Sequence, residues 1–257
     1  MGGPVSVEIT DGLGTLVMAS PSANALGTAL IDGLNTACQA FDDANVGCVV
    51  VSSEVERFFA AGADLKLLSS LDEAGFERYL TSLRSVLERI ADADWLSIAA
   101  IDGHALGGGL ELAMACTYRV VSKRAQLGLP EVKLGLLPGA GGTQRLTRLV
   151  GRTRSLDLLI TGRSIDAQHA VAIGLADRLD DAPVVQAALW ARELADGPRA
   201  ALAAIRRCVD AVDGDPADGM AVEASEVIAL FSTADGQEGV RAFIEKRPPR
   251  FGQAEEL

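Results

Sequence analysis

Apolar residues recur along this chain in two alternating rhythms. "VSVEIT" and "GTLVMAS" flank "DGLG", which predicts two short strands joined by a glycine-containing hairpin turn. In "SPSANALGTALIDGLNTACQAFDD", Leu26, Leu30, Leu34, Ala37, Cys38 and Phe41 fall at helical spacing. "VGCVVVSS" (46–53), "SIAAIDG" (97–103) and "TYRVVS" (117–122) are short, nearly continuous apolar runs, as expected of strands covered on both faces. Between the first two of these, Phe76, Leu80, Leu83, Leu87 and Ile90 repeat at fours and threes, the mark of an amphipathic helix. Strands alternating with helices predict an α/β fold with parallel sheets. From about residue 183 the strand signals stop, and helical patterns follow at 184–195, 199–213, 217–232 and 237–246. We therefore expect a core domain over 1–195 and a helical region over 196–257. No fixed-period sequence repeat is evident.

Composition narrows the function. The chain has 257 residues, 49% hydrophobic, enough for a substantial core, and only 4% aromatic, so that core is aliphatic. A net charge of −12 disfavours nucleic acid as a partner. A small anionic ligand remains possible where backbone N–H groups and a few cations hold it. Cys38, Cys48, Cys116 and Cys208 have no CxxC spacing and read as reduced core residues of a cytoplasmic protein. With only His104 and His169 available, a His-rich metal site is excluded, and no metal is expected. The N-terminus lacks a signal-peptide pattern, and no run approaches a membrane span. Gly2 and Ser6 fit the short myristoylation pattern, but nothing basic flanks them.

Three glycine-rich turns stand out: "FFAAGADL" (58–65), "HALGGGLE" (104–111) and "LLPGAGGTQ" (136–144). None is a P-loop or a dinucleotide fingerprint. Glycines that turn corners between strands and helices explain any one of them; three in one α/β chain suggest more. Gly107 to Gly109 let another group approach the backbone closely, at a helix start where N–H groups are unpaired. Such a site suits a carbonyl oxygen that gains negative charge during a reaction. The gap in "AAGAD" offers a second N–H of the same kind, near Ala63. Glu111 falls in the first turn of that helix, and "GLPEVKLG" supplies a second carboxylate, Glu131, amid apolar neighbours. On its own Glu111 reads equally well as a complement to the helix dipole. Two carboxylates in apolar surroundings beside an oxyanion site are what general acid–base chemistry needs. Burial raises a carboxylate pKa and a helix end lowers it, and the sequence leaves that contest open. His104, Trp95 and Trp190 read as structural residues, and Asp72 and Glu73 as dipole complements at a helix start.

"FFAAGADLK", "IDGHALGGGLELAMACTYRV", "LGLPEVKLGLLPGAGGTQRL", "GLAD" and "GVRAFIEKRPPRFG" resemble, in order and spacing, the enoyl-CoA hydratase (crotonase) family. That resemblance implies a spiral of strand–strand–helix units, with C-terminal helices that pack into homotrimers, usually paired into hexamers. It implies an oxyanion hole from the N–H groups of Ala63 and Gly108, and a catalytic pair, Glu111 and Glu131, that handles the water. It places Gly139 near the reacting carbons. Asn24, Ala25 and Leu26, Ala61, Asp64, Leu65 and Lys66 match segments that contact CoA. Phe243 and Lys246 match tail residues that touch CoA, commonly from a neighbouring subunit. No cofactor is implied, because the CoA thioester is the substrate. Segments around 66–80 and 129–140 are expected to shape the acyl pocket. Two departures stand out: Thr117 where many members have Asp, and Leu129 where some have Gln. The activity expected is hydration of a 2-enoyl-CoA. The alternatives are an isomerase that moves the double bond, for which one carboxylate often suffices, and a non-catalytic acyl-CoA binder.

Overall fold

β1 (Val5–Thr10) and β2 (Leu13–Met18) form the expected antiparallel hairpin, turned by Asp11 and Gly12, whose φ values are 51° and 74°. A two-residue turn with both φ positive matches the right-handed twist of its strands. The structure, a computed structural model, describes residues 3–252. Gly2 of the myristoylation pattern and positions 253–257 of the expected helical region lie outside them.

After α1 (Thr28–Asp43) the chain makes three similar excursions. Each runs up a strand of one sheet, crosses to a short strand of a second sheet, and then enters a helix. The first comprises β3 (Cys48–Ser53), β4 (Phe58–Ala60), α2 (Leu65–Leu68) and α3 (Glu73–Asp92). The second comprises β5 (Leu96–Ile101), β6 (His104–Leu106) and α4 (Gly108–Ala115). The third comprises β7 (Tyr118–Val121), β8 (Gln126–Gly128), a 3-10 turn at Glu131–Leu134 and α5 (Gly142–Val150). Then follow α6 (Arg152–Thr161), β9 (Ser164–Asp166), α7 (Ala167–Ala172), β10 (Arg178–Leu179), α8 (Pro183–Ala195), α9 (Arg199–Asp210), α10 (Pro216–Phe231) and α11 (Ala234–Glu245). The result is an α/β spiral.

The larger sheet has the order β1-β2-β3-β5-β7-β10 and the smaller β4-β6-β8-β9. All pairs from β2 to β10 are parallel in the first. The expectation of parallel sheets needs one correction: β9 pairs antiparallel with β8. Between β8 and β9 the chain passes through α5 and α6 without a strand of the larger sheet, whereas β5 lies between β4 and β6 and β7 between β6 and β8, so here the chain returns in the opposite sense. A second correction concerns Leu26. It precedes α1, whose N-cap Gly27 is extended, and its backbone instead forms a bridge with Ala63.

The continuous apolar runs have a simple cause. Val49 and Val51 of β3 enter the main core, while Cys48 and Val50 face the other way, towards Ala187, Ala191 and Ala195 of α8. With alanines on its inner face, α8 covers that side of the sheet closely. Three cysteines, Cys38, Cys48 and Cys116, are buried free thiols, and burial pushes them up to about 11, 12 and 12. α10 packs on α9 and α11. No helix among the described residues is long and apolar enough to cross a membrane.

Candidate active site

β4 and β6 are parallel neighbours, so the loops leaving their C-terminal ends lie side by side. Gly62 has φ +95°, and a Cβ there would stand 2.9 Å from the Leu106 carbonyl oxygen and 3.3 Å from the Gly108 nitrogen. A Cβ on Gly108 would lie 2.9 Å from a Leu26 methyl and 3.8 Å from the Ala63 nitrogen, and one on Gly109 would overlap the Ala60 carbonyl. The glycines are therefore needed for close approach, which brings the Ala63 and Gly108 N–H groups together. Gly108 opens α4, so its N–H has no partner within the helix. Among the described residues no turn or side-chain hydrogen bond takes either N–H.

Both predicted carboxylates face this cradle. Glu111, 3% exposed, accepts hydrogen bonds on Oε1 from the N–H groups of Ala140 and Gly142, each at 2.8 Å. Its Oε2 lies on the Gly108 side, 3.8 Å from where a Cβ on that glycine would be. Glu131 approaches from the 3-10 turn, with Oε1 3.0 Å from the Cβ position of Gly107. Its Oε2 is buried without a hydrogen-bond partner. Burial raises the Glu111 carboxyl above its ordinary range, against the two N–H donors and the charge of Arg145. So burial wins the contest, and the opposing helix end belongs to α5, which Gly142 opens, as much as to α4. Glu131 is pushed up to about 7, chiefly by burial, with Glu111 adding to the rise and its own backbone N–H opposing it.

The segment before α1 forms the wall of the cradle. Asn24, fully buried, donates from its amide to the Ser53 hydroxyl at 2.7 Å and the Phe59 carbonyl at 2.9 Å, and accepts from the Ser20 N–H. Its side chain is thus committed to the frame, leaving the backbone and half-buried Ala25 as the accessible part of that stretch. The N–H groups of Ala61 and Leu26 donate to the carbonyls of Ala23 and Gly62, lacing the two loops together. Asp64 caps α2 by accepting from the Lys66 and Leu67 N–H groups, with Leu65 and Lys66 exposed beside it. Gly139 lies against Leu80 of α3, one residue before the Ala140 N–H that holds Glu111.

Phe243 and Lys246 are not brought to this site. Phe243 is 85% exposed on α11, and Lys246 ends that helix with φ +55°. Three participants escape the sequence reading: Ala140 and Gly142 as donors to Glu111, and Arg145. The glycine run before α5 signals free N–H groups there, but nothing local says which carboxylate they meet. His104 packs its ring on Phe58, Trp95 donates to Asp42, and Asp72 caps α3, all in structural roles. A cleft of about 380 Å³ at the far ends of α1 and α3 is lined by Asp42, Arg89 and Trp95, of which Arg89 and Trp95 both donate to the Asp42 carboxylate.

Comparison with known proteins establishes the family. The enoyl-CoA hydratase/isomerase family model matches residues 8–254. The chain belongs to the enoyl-CoA hydratase/isomerase family. The mouse mitochondrial methylglutaconyl-CoA hydratase is 40% identical over 236 residues, covering 89% of this chain and 75% of the relative. A probable enoyl-CoA hydratase from Rhizobium meliloti is 38% identical over 95% of this chain and 96% of its own. Among solved structures, an enoyl-CoA hydratase from Geobacillus kaustophilus superposes with a TM-score of 0.94 at 33% identity, covering 98% and 97% of the two chains. Thr117 has a structural part: Thr117 and Ser97 exchange N–H to hydroxyl bonds at 3.0 and 3.1 Å, pinning β7 to β5. Leu129, next but one to Glu131, is 1% exposed in the main core.

Proposed function

We propose that this family member is an enoyl-CoA hydratase, adding water across the 2,3 double bond of a 2-enoyl-CoA. One observation supports the reading above the others: a buried carboxylate, Glu111, and a half-buried one, Glu131, converge on a pair of unpartnered backbone N–H groups. In the mechanism that follows, the thioester oxygen accepts from the Ala63 and Gly108 N–H groups, which stabilise the enolate-like state. Water lies between Glu111 and Glu131. Glu111, hydrogen-bonded to two amides, acts as the carboxylate that orients the water and takes one of its protons as the O–H bond breaks. The water oxygen bonds to C3, the double-bond electrons move towards the thioester oxygen, and Glu131 gives a proton to C2. Glu131 suits that part, because a carboxyl pushed up to about 7 holds a proton at neutral pH. The substrate contributes the CoA itself, so the reaction as proposed requires no separate cofactor or metal.

The segments 24–26 and 61–66 flank the cradle and are proposed to receive the CoA moiety. Phe243 and Lys246 stand apart within one chain, so their proposed contact with CoA requires a neighbouring subunit in a homotrimer or hexamer. Absorbance of the conjugated enoyl-thioester, followed with a panel of 2-enoyl-CoAs, tests the reading. Rapid loss with the parent and its abolition in Glu131→Gln supports hydration and ranks the acyl chains. No loss on any member sinks it, and absorbance appearing from 3-enoyl-CoAs instead would point to an isomerase.

A further inference from the structure

Arg145 of α5 touches no position expected of the substrate, yet it is tied to the site through the backbone. Its Nη1 donates to the Ala140 carbonyl at 2.9 Å. The N–H of Ala140 in turn donates to Glu111 Oε1, and the N–H of Gly142 meets the same oxygen. Gly141 between them has φ +100°, and a Cβ on it would overlap the Arg145 guanidinium. The Arg145 N–H closes the turn onto the Gly141 carbonyl at 2.9 Å. A half-buried guanidinium therefore clasps the very loop that aims two amides at one carboxylate oxygen. An orientation this specific is not required merely to begin α5, which needs only a free first turn.

We propose that Arg145 is a positioning residue for Glu111: it fixes the loop 139–142 so that both amides bear on Oε1, and its charge distinguishes Glu111 from Glu131. The inference deepens the hydratase reading and takes from it the separate parts of the two glutamates. The electrostatics point the same way. Burial lowers the Arg145 pKa and Glu111 raises it, while Arg145 opposes the burial-driven rise of Glu111. Glu131 is raised by burial and by Glu111 and lowered by its own backbone N–H, and among the described residues no cation offsets the rise. Arg145 also faces Glu88 and Asp92 of α3, Arg148 of its own helix and Cys116 at the end of α4, and Glu111 faces Tyr79 of α3. Of these, only Glu111 shares the loop with it.

The test uses the full chain with Arg145→Met and Arg145→Lys, folding being checked by circular dichroism and melting. Two readouts are needed: the carboxyl titration of Glu111, assigned by 13C NMR against Glu111→Gln, and the pH profiles of kcat and KM with a short 2-enoyl-CoA. Without the charge, the Glu111 midpoint moves up and the acid limb of the activity moves with it. We expect kcat to fall roughly 10- to 100-fold with KM changed less than about threefold, as for a group acting through a catalytic carboxylate. Arg145→Lys restores the Glu111 midpoint towards the parent's and recovers part of kcat. If Arg145→Met fails to fold, Arg145→Gln, which removes the charge but keeps an N–H donor, takes its place in both readouts, with the same upward move of the Glu111 midpoint expected and an unmoved midpoint overturning the proposal. An unmoved Glu111 midpoint in a folded Arg145→Met variant overturns the proposal. A moved midpoint in a protein that hydrates no enoyl-CoA upholds the positioning and overturns the hydratase reading instead.

Discussion

At the residue scale, the site turns on two carboxyl groups made unequal by their surroundings. Glu111 accepts two amide N–H bonds, whereas Glu131 leaves a buried oxygen unpartnered and is pushed up to about 7. The proposed hydration needs Glu131 protonated and Glu111 ionised, so activity should decline as pH rises through about 7 and decline again in acid as Glu111 protonates. A bell-shaped kcat profile checks this, and a flat profile from pH 5 to 9 contradicts it. The same shift has a consequence for stability. The folded-state value lies above the ordinary 4.5, so the stability it contributes is full below that value and is lost as pH rises through about 7. Glu131→Gln removes that loss. Its melting temperature should exceed the parent's at pH 8 by a few degrees, about 2–4 °C per kcal/mol for a chain of this size, and the gain should shrink towards pH 5. Both glutamates were legible in the sequence, because carboxylates amid apolar residues beside glycine runs are conspicuous. Arg145 was not, because its partner is a carbonyl that only the folded loop presents.

At the scale of elements, the cradle depends on how closely short strands and loops approach. Asn24 ties the segment before α1 to Ser53 at the end of β3 and to Phe59 in β4. Asn24→Ala removes these bonds and the one from the Ser20 N–H, leaving the Phe59 carbonyl without its amide donor, while the Ser53 hydroxyl keeps the Val55 N–H and the Phe58 carbonyl. It should cost about 2–4 kcal/mol, measured by denaturant unfolding, since each lost buried bond is worth roughly 1 kcal/mol and stranded groups add to it. The helices α1, α3 and α8 to α11 were readable in the sequence from their periodicity, the C-terminal set close to the predicted spans, whereas α5, α6 and α7 were not. Leu26 misled that periodicity: its side chain is buried at a spacing that fits α1, yet its backbone pairs with Ala63 across the cradle. The antiparallel strand β9 was also hidden, since three residues, Ser164–Asp166, are too few to show a pattern.

For the whole molecule, the structural repeat explains why no sequence repeat is evident. The three strand–strand–helix turns begin at Cys48, Leu96 and Tyr118 and close with helices of very different length, 20, 8 and 9 residues. A spiral with unequal turns leaves no fixed period. The C-terminal helices present Val209, Val227, Ile228, Phe231, Phe243 and Ile244 to solvent within one chain. Apolar area on that scale is characteristic of an interaction surface, and the proposed homotrimer would cover it. Sedimentation should therefore give three or six times the 26.7 kDa of one chain. Phe231→Asp together with Ile228→Asp should shift the protein towards smaller species, and a monomeric parent would oppose the trimer. Whether water itself is the reactant is tested most directly by incubating a short 2-enoyl-CoA with the protein in 18O-labelled water and analysing the product by mass spectrometry. The account predicts a 3-hydroxyacyl-CoA bearing solvent oxygen at C3, formed by the parent and lost in Glu111→Gln and Glu131→Gln. A product of unchanged composition with a migrated double bond, or turnover that survives both substitutions, would contradict it.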